Sequence, residues 1–574
     1  MNTPIPSVLA TAAAAFVLIP LAVAGGETTR VSLGTGSLQA NNPSVNGDRQ
    51  WAVSADGRFV AFRTTATNLD PQDTDSDWDV YLRDTVLDST VLVSVGMGGA
   101  ASDGTAWECD VSDDGRYVVF SSSATNLAPN DTNGVPDVFL RDVVGGTTTL
   151  VSRGLGGASG AGGGSRRPAI SSDGARVVFD SQATDLYPAD SNGFSDVFLY
   201  DRPTGNLRAA STAPGGATGN GVSISADISP DGDWIAFESG CTNLGPADPN
   251  NLRDVYVRSL VTGAYLRIVG PSGTFNQASR GPRLSSGGRR VVFTTAATNV
   301  LFGGNPFVQN VVLFDRLAGT VEVVSRSSAG VLANQLSGSP CISDDGAFVA
   351  FTSRATNLVP GDMNAADDVF VRNVSQGWTE RVSLTADGAE LPLASRFPAL
   401  SGSGRHSGFM SGLGTIVAGD TNGTSDVFLR DRGYDAPFAG ASFCDSTSNS
   451  SGAMARTTIT GNPRLSAQDL TLATDQLPLN QFGFYFTSRY AAFVPGFGGS
   501  QGNLCLGGSI VRLDSFILNT GASGQLALAL PFAQLPPGAN LAPGDTWRFQ
   551  FWFRDVVGGA ATSNTSSAVC VELL

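Results

Sequence analysis

The sequence predicts an all-β protein: a seven-bladed β-propeller of four-stranded blades followed by a small β-sandwich domain. Three observations lead to this prediction. A pattern of about 58 residues recurs seven times along the chain. Glycine, at 70 of 574 residues, and a charged fraction of only 15% suit short strands joined by tight turns. After the last copy the repeat stops, but strand-like segments continue.

The repeat determines the predicted number of blades. The recurring phrase is S-x-D-G-R-x-V-x-F, then A-T-N-L-x-P, then D-V-F-L-R-D and then T-x-L-V-S, with substitutions in individual copies. The turn position of the first pattern falls at Asp56, Asp114, Asp173, Asp231, Gly287, Asp345 and Ser403, at spacings of 58, 59, 58, 56, 58 and 58 residues. The third pattern begins, at the same spacings, at Asp79, Asp137, Asp196, Asp254, Asn310, Asp368 and Asp426. Two landmarks that keep a common spacing over seven copies identify a structural repeat.

Each copy predicts four short strands. In the second copy they are Trp107–Ser112, Tyr117–Phe120, Val138–Arg141 and Thr147–Ser152. An Asp-Gly pair between the first two is a strong hairpin signal. Four strands per unit, repeated radially, form the blade of a β-propeller.

The two ends of the repeat region predict closure of a ring. The seventh copy has a third strand at Val427–Arg430 but no T-x-L-V-S strand after it. Residues Thr28–Ser32 match that missing pattern. We therefore expect them to pair with Val427–Arg430 and complete the last blade, which removes an open sheet edge.

The domain boundaries follow from these patterns. Residues 1–24 are predicted to be a signal peptide, because an apolar run ends in the small residues Ala22-Val23-Ala24; an uncleaved membrane anchor is the alternative. The propeller would then span residues 25–433 and the β-sandwich residues 434–574. No other stretch is long and apolar enough to span a bilayer, so the mature chain is expected to be secreted, either extracellular or periplasmic.

In the C-terminal domain, the strand Thr546–Arg554 alternates between two faces. One face is predicted to be core and carries Trp547, Phe549, Phe551 and Phe553. Trp552 lies on the other face, where it would stack on a sugar ring or pack between the two arginines of that face.

The connections between the second and third strands are acidic. Six of the seven copies contain D-x-[D/N]-x-x-x-D. Alternating oxygen side chains on a tight loop suit calcium, although no copy has the bidentate Glu of an EF-hand. The predicted ligands, in the first three copies, are Asp73, Asp75, Asp77, Asp79, Asp131, Asn133, Asp137, Asp190, Asn192 and Asp196. The alternative is that these side chains cap turns. The fifth copy, with Gly304 and Asn310 at matching positions, is expected to bind no ion.

The repeat resembles a known family. The strings Ser112–Phe120 and Asp137–Asp142 are similar to the WD-type repeats of TolB-like propellers, and the resemblance covers about residues 28–433. It implies the propeller fold. Propellers serve binding, scaffolding and catalysis alike, so the resemblance implies no particular activity.

A second resemblance concerns the cysteines. The strings Ser500–Gly508 and Trp547–Asp555 look similar to a C-terminal region of large secreted bacterial proteins. That pattern has two cysteines, matching Cys444 and Cys505, and so implies a disulfide between them. The propeller cysteines Cys109, Cys241 and Cys341 are expected to remain thiols, with Cys241 buried in place of an alanine.

Composition and motifs exclude several functions. A net charge of -16 without a basic cluster argues against nucleic-acid binding. The G-x-S-x-G match at Ser500 has no histidine after it, and the single histidine, His406, is interpreted as a surface turn residue. We therefore expect a non-catalytic scaffold that binds a protein or glycan. The alternative is a carbohydrate-binding or carbohydrate-active protein that uses carboxylates in the propeller channel.

Overall fold

The computed structural model describes residues 27–432, apart from 48, 161, 246–247 and 301–307, together with parts of the region after 441. Those parts are 442–444, 449–451, 455–460, 470–488, 490–495, 503–507, 510–513, 515–530, 535, 546–557 and 560–572. The predicted signal peptide and the Ser500 motif lie outside the described residues. Within the described part the helices are single 3-10 turns at Thr35–Ser37, Met97–Gly99 and Ser286–Gly288. None of its helices has the length and apolar character needed to cross a membrane.

The described part of residues 27–432 contains seven antiparallel sheets of four strands, numbered here in chain order. Sheets 1 to 3 consist of Trp51–Val53, Phe59–Thr64, Asp79–Asp84 and Ser89–Leu92; Ala106–Val111, Tyr117–Ser122, Asp137–Asp142 and Thr147–Leu150; and Ser165–Ile170, Arg176–Ser181, Asp196–Asp201 and Asn206–Ala209. Sheets 4 and 5 consist of Ser223–Ile228, Trp234–Ser239, Asp254–Ser259 and Tyr265–Arg267; and Ser279–Leu284, Arg290–Thr295, Asn310–Asp315 and Thr320–Val323. Sheets 6 and 7 consist of Ser337–Ile342, Phe348–Ser353, Asp368–Asn373 and Thr379–Arg381; and Ser395–Leu400, His406–Ser411, Asp426–Asp431 and Thr28–Arg30. A two-stranded ribbon joins Leu33–Gly34 to Leu38–Gln39.

Each sheet packs on the next, and the seventh packs on the first. The apolar cores lie between consecutive sheets; one of them joins Trp51 and Phe62 of sheet 1 to Val427 and Leu429 of sheet 7. The first strands of neighbouring sheets contact each other around the same circle. The sheets therefore form a closed ring, the arrangement of a β-propeller, with the first strands around a central channel.

The N-terminal strand completes sheet 7 as predicted. Thr28 pairs with Arg430, and Arg30 pairs with Phe428. The Ser32 hydroxyl donates to Asp426 at 2.6 Å and accepts the Val427 amide at 3.0 Å. A segment from the start of the chain thus protects the edge of the last repeat.

The Asp-Gly turns have a second role between sheets. The residue that begins each second strand packs on the turn glycine of the following sheet, so that Phe59 lies on Gly115 and Tyr117 on Gly174. A Cβ on Gly115 would lie 2.4 Å from the Phe59 ring. His406 makes the same contact with Gly57 and closes the circle. The interpretation of His406 as a surface turn residue is therefore wrong: it begins a strand and is partly buried at the junction of sheets 7 and 1.

The region after residue 441 has separate sheets. One has the order Ser442–Cys444, Ala560–Glu572, Thr546–Val557, Phe482–Ser488 and Val511–Arg512, with Leu518–Asn519 also paired to Phe482–Ser488. The others join Arg456–Thr460, Thr471–Asp475 and Leu526–Ala529, and Tyr490–Pro495 with Asn503–Gly507. The predicted core face is confirmed, since Trp547, Phe549, Phe551 and Phe553 are buried together with Ile459 and Leu472 of the three-stranded sheet.

Two expectations about side chains have different outcomes here. Trp552 packs on an aromatic side chain, which neither alternative named: it lies in register opposite Phe484, and the two ring centroids are 5.2 Å apart. Cys109, Cys241 and Cys341 are thiols, as expected, and Cys241 is fully buried. The side chains of Cys444 and Cys505 lie outside the described part, so their disulfide remains a prediction.

Candidate functional site

The acidic loops of the first three sheets lie between the second and third strands, at one end of each sheet. In sheet 1 the structure brings three of the four predicted carboxylates together: oxygen atoms of Asp73, Asp75 and Asp79 all lie within 4.8 Å of one another. Asp77 is exposed and is not part of this group; its amide donates to Asp75 at 2.8 Å.

The two buried members of this group have elevated pKa values. Asp73 is 5% exposed; one of its oxygens accepts the Tyr81 hydroxyl at 2.6 Å, and the other has no hydrogen-bond donor. Desolvation raises the pKa of Asp73. Asp79 accepts the Ser94 hydroxyl at 2.6 Å, but burial and the negative charges of its neighbours raise its pKa to about 7.

Sheet 2 repeats this arrangement with two carboxylates. Asp131 and Asp137 are buried, and neither oxygen of Asp131 accepts a hydrogen bond. Burial raises the pKa of Asp137 to about 7, and Asp131 adds repulsion. Asn133 faces the backbone: its oxygen accepts the Val135 amide at 3.1 Å, which is the predicted turn-capping role.

In sheet 3 the side chains of the loop have more hydrogen-bond partners within the protein. The Asn192 amide donates to Asp196 at 2.7 Å, and the Asn192 oxygen accepts the Phe194 amide at 2.7 Å. Asp190 accepts the Thr218 hydroxyl at 3.4 Å. The pKa of Asp196 is raised to about 6, mainly by burial.

Sheets 4, 6 and 7 differ in a way that the loop motif does not reveal. Each has an arginine between its two loop aspartates. In sheet 4, Arg267 lies 3.4 Å from Asp248 and 2.8 Å from Asp254. In sheet 7, Arg30 lies 2.9 Å from Asp420 and 3.7 Å from Asp426. These guanidinium groups neutralise carboxylates that have almost no solvent contact.

Sheet 6 also has an arginine between its two loop aspartates, together with a third carboxylate. Asp362, Asp368 and Glu390 have oxygen atoms within 4.8 Å of one another. Arg381 lies among them, at 3.5 Å, 3.6 Å and 2.6 Å respectively. Sequence reasoning missed Glu390, which follows the fourth strand, and the three arginines. Aligning the copies on T-x-L-V-S identifies the arginines, since they occupy one position of that pattern.

The central channel is the second candidate site. It contains a cavity of about 570 Å³. In sheets 2 to 7 each first strand has a register shift, which turns residues toward the channel. The sheet 2 to 5 side of the lining includes Glu108, Asp110, Arg167, Asp227 and Arg283, whereas the sheet 6, 7 and 1 side includes Pro340, Ile342, Phe397, Pro398 and Trp51.

Four carboxylates near this channel accept backbone amides of the next sheet. Asp110 accepts the Ile170 amide at 2.9 Å, and Asp227 accepts the Leu284 amide at 2.8 Å. On the second strands of sheets 3 and 4, Asp180 accepts the amide of Ser225 at 3.1 Å and Glu238 accepts that of Gly281 at 3.3 Å. Burial, with some repulsion from Asp227, raises the pKa of Asp110 to about 6.

Known proteins offer limited comparison. No protein-family model matches the chain, and no curated protein matches its sequence. Solved structures similar to it include TolB from Acinetobacter baumannii, at 15% identity and a TM-score of 0.31 over 53% of this chain. A putative TolB from Agrobacterium tumefaciens has 16% identity and a TM-score of 0.32, with 60% of this chain and 93% of that one covered. A prolyl endopeptidase structure has 11% identity and a TM-score of 0.40. The match covers 79% of this chain and 55% of the endopeptidase chain.

The chain spans 58% of the length of the Acinetobacter baumannii TolB structure. The solved structures similar to this chain thus include the protein class that its repeat resembles.

Proposed function

We propose that this chain is an exported, non-catalytic binding scaffold. The seven four-stranded sheets are the blades of one closed seven-bladed β-propeller spanning residues 25–433, and residues 434–574 form a β-sandwich. The N-terminal export signal directs the chain to the periplasm or the exterior. Its partner is a protein or a glycan that contacts the channel mouth.

One observation carries the non-catalytic assignment. Four carboxylates of sheets 2 to 4 near the channel, namely Asp110, Asp180, Asp227 and Glu238, each accept an amide of the next sheet, whereas Glu108 accepts the Ser121 hydroxyl of its own sheet. A carboxylate that holds two sheets together is fixed in direction and is partly engaged by its donor, which supports a structural role and not proton transfer. Arg167 adds to this role by bonding to Asp180 at 3.0 Å.

The channel lining supports a binding role. Most of the charged lining residues lie on the sheet 2 to 5 side, and the sheet 6, 7 and 1 side is mainly apolar, with Arg49 and Asp344 as its charged members. A concave surface with an apolar side and a few fixed polar groups is typical of ligand sites. Arg280 is exposed at this lining and is available to a ligand.

A second candidate function has its own support. Asp110 has a pKa raised to about 6, and Asp227 contributes to that shift by repulsion. A carboxyl group with a raised pKa beside a second carboxylate is an arrangement that glycoside hydrolases use. The alternative is therefore a carbohydrate-active enzyme in which Asp110 is the acid.

The two functions are separated by one experiment with two measurements. Residues 25–574 are applied to a glycan array and to immobilised envelope proteins, and separately incubated with a polysaccharide panel while new reducing ends are measured. We expect binding without product. Arg280→Gln should weaken binding at least tenfold, while Arg208→Gln, an exposed arginine on an outer strand, should not. Product formation that is lost in Asp110→Asn would contradict the proposal, and so would binding that Arg280→Gln leaves unchanged.

A further inference from the structure

The seven sheets allow an internal comparison at one backbone position. This position lies in the fourth strand, opposite the third residue of the third strand, and is occupied in sheets 1 to 7 by Leu92, Leu150, Ala209, Arg267, Val323, Arg381 and Arg30. In sheets 4, 6 and 7 the arginine neutralises two loop aspartates. In sheet 5 the third strand begins with Asn310 and the position holds valine.

Sheets 1 to 3 therefore have the paired aspartates without the arginine. In each of them the side chain that replaces the arginine is apolar and buried. Burying two carboxylates without a counter-charge is costly, because desolvation and mutual repulsion act in the same direction. In the three arginine-containing sheets, a guanidinium group supplies the positive charge beside both loop aspartates.

Sheet 1 has the strongest need for a cation. It gathers three carboxylates instead of two. Among the described residues no salt bridge joins an arginine to Asp73, Asp75 or Asp79. One oxygen of Asp73 has no hydrogen-bond donor, although that residue is 5% exposed. Asp75 is half-buried, which leaves a path to solvent.

We propose that Asp73, Asp75 and Asp79 bind a calcium ion at the position where sheets 4, 6 and 7 place a guanidinium group. Carboxylate oxygens are hard ligands, and calcium accepts six to eight oxygens with flexible geometry, so water completes the shell. Magnesium requires a more regular octahedron and sheds water less readily. Without a bidentate glutamate, the affinity lies in the weak extracellular range, with a Kd of roughly 10⁻⁴–10⁻³ M.

The other sheets rank below sheet 1 on the same criteria. Sheet 2 offers two buried aspartates, with both oxygens of Asp131 lacking donors. Sheet 3 has an internal donor, because Asn192 bonds to Asp196. Sheet 6 gathers three carboxylates as sheet 1 does, but Arg381 already lies among them. Sheet 6 is therefore the reciprocal control for sheet 1.

The test exchanges the arginine between these two sheets. Melting temperature is measured on residues 25–574 after EDTA treatment, with and without 10 mM CaCl₂. The wild type should gain several degrees. Leu92→Arg should remove the part of the calcium-dependent gain that comes from sheet 1, because the new guanidinium group takes the place of the ion. Asp75→Asn should remove the same part, because it deletes a half-buried ligand. Arg381→Leu should increase the calcium-dependent gain above that of the wild type.

A second readout keeps the proposal falsifiable if Leu92→Arg or Arg381→Leu folds poorly. Terbium occupies calcium sites, and Trp78 lies within the sheet 1 loop to sensitise its emission. Wild-type emission should be displaced by calcium, and Asp75→Asn should reduce it at least fivefold. The proposal is overturned if the wild type shows neither a calcium-dependent shift nor terbium emission. It is also overturned if Asp75→Asn and Leu92→Arg respond as the wild type does.

Discussion

The contact between each second strand and the next Asp-Gly turn leads to a quantitative prediction. Gly115 has φ +68° and Gly134 has φ +65°, so an alanine at either position adopts a left-handed backbone. A Cβ at Gly115 would lie 2.4 Å from the Phe59 ring, whereas a Cβ at Gly134 meets nothing within 4 Å. The two substitutions therefore differ mainly in the close approach of two sheets.

The expected magnitudes follow from these two terms. The left-handed backbone costs about 1–2 kcal/mol for a residue with a Cβ. Overpacking against the Phe59 ring adds about 1–3 kcal/mol. Gly134→Ala should therefore lower the free energy of unfolding by about 1–2 kcal/mol, and Gly115→Ala by about 2–5 kcal/mol.

Thermal unfolding of both variants in the same buffer is the assay. With an unfolding entropy of roughly 0.8 kcal/mol/K for about 400 residues, Gly115→Ala should melt about 3–6 °C below the wild type and Gly134→Ala about 1–3 °C below it. Equal shifts in the two variants would refute the inter-sheet contact. A Phe59→Ala background should bring the two shifts together, because it removes the ring that the new Cβ meets.

Three further predictions concern buried charges and thiols. In EDTA, Arg30→Leu should cost about 3–5 kcal/mol because it leaves Asp420 and Asp426 unpaired, while Arg208→Leu, exposed on an outer strand, should cost under about 0.5 kcal/mol by denaturant unfolding. The pKa of Asp110, about 6 against an ordinary 3.8, means that the folded state binds more protons between these values. Stability should therefore fall as pH rises from about 4 to 6, and Asp110→Asn should reduce that fall by about 1–3 kcal/mol; an unchanged pH profile would contradict the burial of this carboxyl. Cys109 and Cys241 are buried, so iodoacetamide should label them only after unfolding, as measured by peptide mass; rapid labelling of the native chain would count against the sheet cores.

The repeating backbone features could be predicted from the sequence. The Asp-Gly turns, the four strands per copy and the pairing of residues 28–32 with Val427–Arg430 depend on local patterns that recur in each copy. The alternation of Trp547 and its neighbours likewise predicts a buried face. In each case the signal lies within a few residues of the structure that it predicts.

The features that depend on contacts between distant segments could not be predicted in this way. Asp110 bonds to the amide of Ile170 in another copy, and a register shift in the first strands of sheets 2 to 7 changes which residues face the channel. His406 stands where the pattern suggests a turn, but its neighbour is Gly57, at the other end of the repeat region. Local patterns give no information on such pairs.

The loop motif was predicted, but its electrostatic state was not. Six copies carry nearly the same aspartates, and whether they are neutralised depends on a fourth-strand residue that the motif does not include. Arg267 reaches Asp254 from thirteen residues away in sequence. The relevant signal was present in the sequence as a leucine-to-arginine difference between copies, and it acquires meaning only through the strand register.

Anomalous diffraction from a crystal of the mature chain grown with calcium tests the central claim most directly, namely that sheets with and without the arginine are neutralised in different ways. The account predicts a peak bounded by carboxylates of Asp73, Asp75 and Asp79, and none beside Arg267, Arg381 or Arg30. A peak in an arginine-containing sheet, or no peak in sheet 1 at 10 mM calcium, would contradict it.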